Sequence, residues 1–174
     1  MDLPVPIRTF VLHWGEMGTR WGVNRSVAQI HALLYLAERP LAADEIVAAL
    51  GIARSNASNS LKELQAYRLV DLTHVPGDRR DHFTARHDPW DMLLAIVDER
   101  KRRELDPAIA IIRTCAAEAE ADAAISAVAR RRLADMQHFL EELDGFYDRI
   151  RRVPSGRLRR LLKLGDRIIG LLKS

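Results

Sequence analysis

The stretch that decides the fold runs from Pro40 to Phe83 and reads PLAADEIVAALGIARSNASNSLKELQAYRLVDLTHVPGDRRDHF. Two short helical patterns are separated by Gly51, and a β-prone run with a Pro-Gly turn follows them. Glycine supplies the left-handed backbone that a tight turn between two helices needs. This order of elements is typical of a winged helix-turn-helix, a motif that places one helix in the major groove of DNA.

The first helix of the motif is predicted over Ala43 to Leu50 and the second over about Arg54 to Tyr67. Apolar residues recur with helical spacing in the second helix, and they predict its buried face. These residues are Ala57, Leu61 and Leu64.

The opposite side of the second helix is rich in serine and asparagine, which are mediocre helix formers. Asparagine can bond adenine edges, arginine can bond guanine edges, and serine can bond phosphates or bases. The pattern therefore predicts a DNA-binding face, although a polar, solvated face with capping residues is the alternative. The face consists of Arg54, Ser55, Asn56, Ser58, Asn59 and Lys62.

A β-hairpin is predicted after the second helix. Residues 70–75 alternate between apolar and polar, residues 76–78 (Pro-Gly-Asp) form a turn signal, and residues 82–84 form the return strand. Arg79 and Arg80 lie at the predicted tip, between acidic residues that can orient them. Such a wing can insert a guanidinium into the minor groove. The alternative is a solvated charged loop.

The segment Gly77-Asp78-Arg79-Arg80 resembles the wing motif of MarR-type transcriptional regulators. Two further blocks, FVLHWGEMGTRWGVNRSVAQIHALLYL and RRDHF followed by DPWDMLLAIVDERKRRELDP, resemble the GbsR-like branch of that family. The resemblance covers roughly Ile7 to Arg113. It implies a homodimeric prokaryotic regulator that binds a pseudo-palindromic operator, usually as a repressor. Ala53 departs from the pattern, because serine or threonine often caps the recognition helix there.

The resemblance also implies a small-molecule effector, because some relatives in this branch are implicated in sensing choline or related osmoprotectants. Four aromatic residues lie in segments that could meet, and an aromatic cage binds quaternary ammonium ions by cation–π attraction. Ordinary core packing is the alternative for these residues. They are Trp14, Trp21, Tyr35 and Trp90.

The sequence predicts a DNA-binding domain over residues 1–87 and a helical dimerisation region over residues 88–174. In the second region, the tract 98–104 (DERKRRE) is predicted to be a solvated helix surface, and Pro107 to kink or restart the helix. The Ala-rich segment 108–129 is expected to continue that helix.

A heptad-like seam with alternating spacings of three and four residues follows, and it suits helix pairing in a dimer or a helical bundle. The seam contains Leu133, Met136, Leu140, Leu143, Tyr147 and Ile150. A last amphipathic helix with a basic start is predicted over Leu158 to Leu172. Dimer packing is its favoured role, and attachment to an anionic membrane surface is the alternative.

The overall fold expected is mainly α-helical with a small β-hairpin wing. The net charge of +3 fits a DNA partner without arguing for one. The single cysteine, Cys115, excludes an intramolecular disulfide, and its Ala-rich helix predicts a buried thiol.

No metal-binding histidine pair, phosphate loop or nucleophile elbow is found in the sequence. We therefore expect no cofactor and no enzymatic activity. Without a signal peptide or a long apolar run, we expect a cytoplasmic protein. The functional alternative to a regulator is a winged-helix module that binds protein rather than DNA.

Overall fold

The computed structural model describes residues 3–154, 156–158, 160 and 164. Most of them are helical, and a small three-stranded antiparallel sheet completes the fold, as the sequence predicts. The chain divides into two compact units, Met1–Ile96 and a second that starts at Val97. The predicted boundary after residue 87 therefore precedes the structural division by nine residues, and the helix that begins at Pro89 contains that division.

The first unit contains four helices and three strands. The helices are α1 (Val5–Arg20), α2 (Arg25–Leu36), α3 (Ala43–Leu50) and α4 (Arg54–Ala66). The strands are β1 (Leu41–Ala42), β2 (Val70–Thr73) and β3 (His82–Ala85). The buried core of this unit is built mainly from α2, α3 and α4, with Ile30, Leu34, Ile46 and Leu64 the largest side chains at its centre.

The helix-turn-helix follows the predicted bounds closely. The first helix matches the prediction residue for residue, and α4 ends at Ala66 rather than Tyr67. Gly51 adopts φ 65°, the left-handed conformation expected for the turn between the two helices. Ala57, Leu61 and Leu64 are buried, as their spacing predicts.

The sheet has β3 in its centre, between β1 and β2. Phe83 pairs with Leu41 of β1 on one side and with Leu72 of β2 on the other. The sequence predicts the two strands of the hairpin, but it does not predict β1. A two-residue strand is too short to show an alternating pattern, and its pairing partner lies about forty residues away.

The second unit is helical. It begins within α5 (Pro89–Arg100), which continues through a π-helical turn (Lys101–Leu105) into α6 (Asp106–Ala121). Helix α7 (Ala127–Ile150) packs on α6. The chain stays helical at Pro107 but changes its hydrogen-bond pattern just before it, where proline lacks a backbone N–H.

The expectation that one helix continues to residue 129 is wrong. Helix α6 ends at Ala121, and two side chains then bind backbone amides that a continuous helix would use. Asp122 Oδ1 accepts a hydrogen bond from the amide of Ala124 at 2.8 Å, and Ser126 Oγ accepts one from the amide of Ala129 at 3.2 Å. Ser126 is therefore the N-cap of α7.

Two further expectations about the second unit are wrong. Cys115 is exposed rather than buried, because it precedes the buried Ala116 by one position and so points to another side of α6. The tract 98–104 is not uniformly solvated: the Lys101 side chain is only 16% exposed. Its ammonium group lies 2.6 Å from Asp106 and 2.7 Å from Asp144, and hydrogen bonds to these carboxylates raise the pKa of Lys101.

The predicted last helix, Leu158 to Leu172, lies mostly outside the described residues. Within it the structure describes Leu158, which is buried, and the exposed Arg160 and Leu164. Its two proposed roles stay predictions.

Candidate nucleic-acid interface

No described part of the chain covers the polar face of α4, so a partner molecule can reach it. Burial of Ala57, Leu61 and Leu64 turns the opposite side of the helix outward. All six residues predicted to bind DNA from this helix are exposed: Arg54, Ser55, Asn56, Ser58, Asn59 and Lys62. Arginine, asparagine and lysine side chains on this face give it hydrogen-bond donors for base edges and phosphates.

The first turn of α4 carries no side-chain cap. Ala53 occupies the N-cap position, and no side chain there accepts a hydrogen bond from the first amides of the helix. Its extended backbone, φ −66° and ψ 145°, still allows the helix to begin at Arg54. The first N–H groups of the helix lack intrahelical partners, so they remain available to acceptors such as phosphate oxygens.

The end of α4 places the hairpin close to the helix. Arg68 adopts φ 55°, an unusual left-handed conformation for a residue with a side chain. The amide of Leu69 then donates to the carbonyl of Leu64 at 2.9 Å, and β2 begins one residue later. The wing therefore follows the candidate recognition helix after a turn of three residues.

The tip of the wing is a tight turn with two differently placed arginines. Gly77 adopts φ 84°, and the amide of Asp78 donates to the carbonyl of Val75 at 3.0 Å. Arg79 and Arg80 are both exposed. Arg80 forms ion pairs with Asp78 and with Asp44 of α3, whereas no described carboxylate lies within ion-pair distance of Arg79.

The ion pairs of Arg80 shift the pKa values of the groups that form them. Hydrogen bonds from the Arg80 side chain and backbone hold the pKa of Asp78 well below its ordinary value. The same carboxylate, followed by that of Asp44, raises the pKa of Arg80. Both partners therefore stay charged over the whole physiological pH range.

A second ion pair fixes the start of α3. Arg39 donates to Glu45 at 2.6 Å, and Glu45 accepts a hydrogen bond from the backbone amide of Ala42 at 2.8 Å. The Arg39 hydrogen bond, followed by that from Ala42, lowers the pKa of Glu45 to about 2. The contact to Ala42 is one half of a capping box, and it anchors the helix that also carries Asp44.

Comparison with known proteins agrees with this geometry. A model described as the MarR family matches residues 21–81, which contain α2, the helix-turn-helix and most of the wing. The match covers the winged helix of this chain and not its helical region. No curated protein matches the sequence.

One of three solved structures compared with this chain shows the same fold. A crystal structure titled as a transcriptional regulator has a TM-score of 0.62 at 20% identity, covering 83% of this chain and 95% of its own. Transcriptional regulator Tm0710 from Thermotoga maritima has a TM-score of 0.39 at 18% identity, covering 86% of this chain and 94% of its own.

MepR, a transcription regulator of the Staphylococcus aureus multidrug efflux pump MepA, has a TM-score of 0.36 at 10% identity. It covers 95% of this chain and 91% of its own. TM-scores of 0.39 and 0.36 do not establish that Tm0710 or MepR shares the fold of this chain. The first structure, at a TM-score of 0.62, shares the fold of this chain.

Two of the four aromatic residues predicted to form a cage, Trp14 and Tyr35, belong to one row of neighbouring rings. Trp14 stacks on Phe10 with ring centroids 5.3 Å apart, and its other neighbour is His31 at 6.5 Å. Tyr35 lies between His31 at 6.4 Å and His87 at 6.1 Å. The buried His31 ring therefore lies between Trp14 and Tyr35, and the role of the four aromatic residues as a cage stays a prediction.

The two rows of the apolar seam of α7 differ in exposure. Leu133, Leu140 and Tyr147 are partly buried, whereas Met136 and Leu143 are 49% and 43% exposed. Phe139 and Phe146, which the predicted seam omits, are 57% and 54% exposed. Together with Met136 and Leu143 they form a stripe of exposed apolar side chains, which we call the α7 apolar stripe.

Among the described residues, no group of His, Cys, Asp and Glu side chains could hold a metal ion. Nor does that part of the chain contain a helix with the length and apolarity needed to cross a bilayer. Nothing in the sequence marks Asp44 as a partner of the wing. Acidic residues in the first turn of a helix stabilise the helix itself, so the position of Asp44 in α3 indicates no second role.

Proposed function

We propose that this protein is a sequence-specific DNA-binding transcriptional regulator. Helix α4 would enter the major groove, with Arg54, Asn56, Ser58 and Asn59 at base edges and Ser55 and Lys62 at phosphates. The wing, with Arg79 and Arg80, would approach the adjacent minor groove. The observation that carries this proposal is the exposed row of polar and cationic side chains on a MarR-type recognition helix.

We further propose that the protein acts as a homodimer, with the α7 apolar stripe and the rest of the helical region supplying the interface. Two recognition helices about 34 Å apart would then reach successive major grooves of a pseudo-palindromic operator. Repression, and release of DNA by a small ligand that favours a different spacing, are the expected mode of regulation. The disposition of the aromatic rings gives no support to choline as that ligand.

Binding to the duplex upstream of the protein's own gene, measured by fluorescence anisotropy at several salt concentrations, tests the proposal. Arg54→Ala and Asn59→Ala should each weaken binding about tenfold, because each loses a base contact of about 1–3 kcal/mol. Arg131→Ala is the control for Arg54→Ala, since it removes an equal charge from an exposed position on α7 outside the α7 apolar stripe.

Affinity that depends on neither α4 residue, or equal losses for Arg54→Ala and Arg131→Ala, would overturn the assignment of α4 as the recognition helix. A chain that binds no duplex at any salt concentration would favour a winged-helix module for protein partners. Specific binding should also weaken steeply with added salt, since phosphate contacts release counterions.

A further inference from the structure

The guanidinium of Arg80 lies between two carboxylates from different parts of the fold. Its Nε and Nη2 donate to Asp78 at distances from 2.6 to 3.1 Å, within the wing turn. Its Nη1 donates to both oxygens of Asp44, at 3.0 and 2.9 Å. Asp44 belongs to α3, 36 residues earlier in the chain, so the Arg80 side chain links the wing tip to the first helix of the helix-turn-helix.

The wing side of this link is itself held in place. Asp78 also accepts a hydrogen bond from the backbone amide of Arg80 at 3.0 Å. The His82 side chain is 3% exposed; its Nδ1 donates to the carbonyl of Arg80 at 2.9 Å, and its Nε2 lies 3.4 Å from Asp78. The main-chain amide of Arg80 therefore holds the Asp78 carboxylate in the turn, and the buried His82 ring holds the carbonyl of Arg80.

The charges at the tip distinguish the two neighbouring arginines. Asp44, Asp78 and Arg80 together carry a net charge of −1, so the Arg80 cation is already neutralised within the protein. To reach DNA, Arg80 would have to give up charge-assisted hydrogen bonds to two carboxylates. Arg79 has no such bond to break among the described residues, and its cation is free to meet the negative potential of a minor groove.

We propose that Arg80 and Asp44 form a brace that positions the wing against α3, and that Arg79 is the wing arginine that contacts DNA. This assignment rests on the proposed DNA-binding function and refines it. Arg80 is then a positioning residue, and the salt dependence of binding separates it from a DNA contact.

Two double variants that keep the net charge unchanged give a matched comparison. Asp81→Asn/Arg79→Gln removes the free arginine, and Asp44→Asn/Arg80→Gln removes the brace. Each arginine that neutralises a phosphate contributes about 0.9 to the slope of log affinity against log salt. We expect the first variant to lower the magnitude of that slope by about 0.9 and the second to leave it at the wild-type value.

The brace has a readout that does not require DNA. Hydrogen exchange at the Asp78 amide, which donates to Val75 in the turn, reports opening of the wing. Loss of an exposed ion pair should speed this exchange about two- to fivefold in Arg80→Ala. Arg80→Lys should behave the same way, because an ammonium cannot fork between two carboxylates, whereas Arg79→Gln should leave the exchange unchanged.

The proposal is overturned if Asp44→Asn/Arg80→Gln lowers the salt slope as much as the Arg79 variant does. It is also overturned if Arg80→Ala leaves the exchange of the Asp78 amide at the wild-type rate. Failure of the wild-type protein to bind any duplex would reject the proposed function instead, and the exchange measurement would still decide whether the brace exists.

Discussion

At the scale of single residues, His31 shows how burial changes the chemistry of a side chain. It lies in α2 with 4% of its surface exposed, between the rings of Trp14 and Tyr35. Its Nε2 has no hydrogen-bond partner among the described residues. Burial disfavours the charged imidazolium, and it lowers the pKa of His31 from 6.5 to about 4.

This burial predicts acid sensitivity of the folded state. Between pH 6.5 and 4 the unfolded chain binds a proton at His31 that the folded chain does not, so stability falls as the pH is lowered through this window. The full effect on the free energy of unfolding is about 3 kcal/mol. Urea unfolding at pH 7 and pH 4.5 should therefore show a smaller difference for His31→Phe than for the wild type.

His13 provides the control for this measurement, because it lies exposed on α1. His13→Phe removes a histidine without changing the core, so it should keep the pH dependence of the wild type. An unchanged pH dependence in His31→Phe would show that other groups cause the loss of stability in acid.

At the scale of secondary-structure elements, the contact between α1 and α2 depends on two glycines of α1, Gly15 and Gly18. A Cβ atom added at Gly18 would lie 2.6 Å from the Cβ of Ala28, and one added at Gly15 would lie 2.6 Å from the Cγ of Gln29. The neighbour of Gly18 cannot rotate away, since the methyl group of Ala28 has no flexible dihedral angle. The two helices therefore approach each other at a distance that only glycine permits there.

Gly18→Ala should destabilise the first unit by about 1–3 kcal/mol, because the extra methyl group forces the two helices apart. Gly145→Ala in α7 is the matched control: its nearest neighbour is the flexible end of Arg149 at 3.4 Å. That control should stabilise the helix by up to about 1 kcal/mol through helix propensity. Thermal unfolding of both variants provides the measurement, and a neutral Gly18→Ala would contradict the close packing of α1 on α2.

At the scale of the whole molecule, the α7 apolar stripe is an exposed surface that a second copy of the chain would cover. The proposed dimer predicts that Leu143→Glu weakens self-association at least tenfold, since a carboxylate would be buried in an apolar interface. Operator affinity should fall with it, because a single recognition helix reads only one half-site. Sedimentation equilibrium and DNA titration measure the two effects.

Ala134→Glu is the control for this variant. Ala134 is exposed on α7 nine residues before Leu143, which places it half a turn away around the helix axis. The substitution therefore adds the same charge outside the stripe. Equal effects of the two substitutions would show that charge, rather than the stripe, controls assembly. A monomeric wild-type protein that still binds its operator would remove the proposed interface altogether.

The sequence by itself determined the helices of the helix-turn-helix, the buried face of α4 and the hairpin, because each depends on local spacing or on a turn residue such as Gly51. Capping is local too: Asn24 and Asp88 accept hydrogen bonds from the amides of Ser26 and Trp90, two residues further along the chain, each at 2.8 Å. Exposure of the α4 polar face follows directly from its periodicity.

Only the tertiary structure decided which distant groups meet. The pairing of β1 with β3, the link between Asp44 and Arg80, and the burial of Lys101 between Asp106 and Asp144 all join residues that no local pattern relates. The insertion of His31 between Trp14 and Tyr35 likewise depends on how α1 packs on α2. Local periodicity specifies which side of an element is apolar, but packing of the elements determines the partner that each polar group finds.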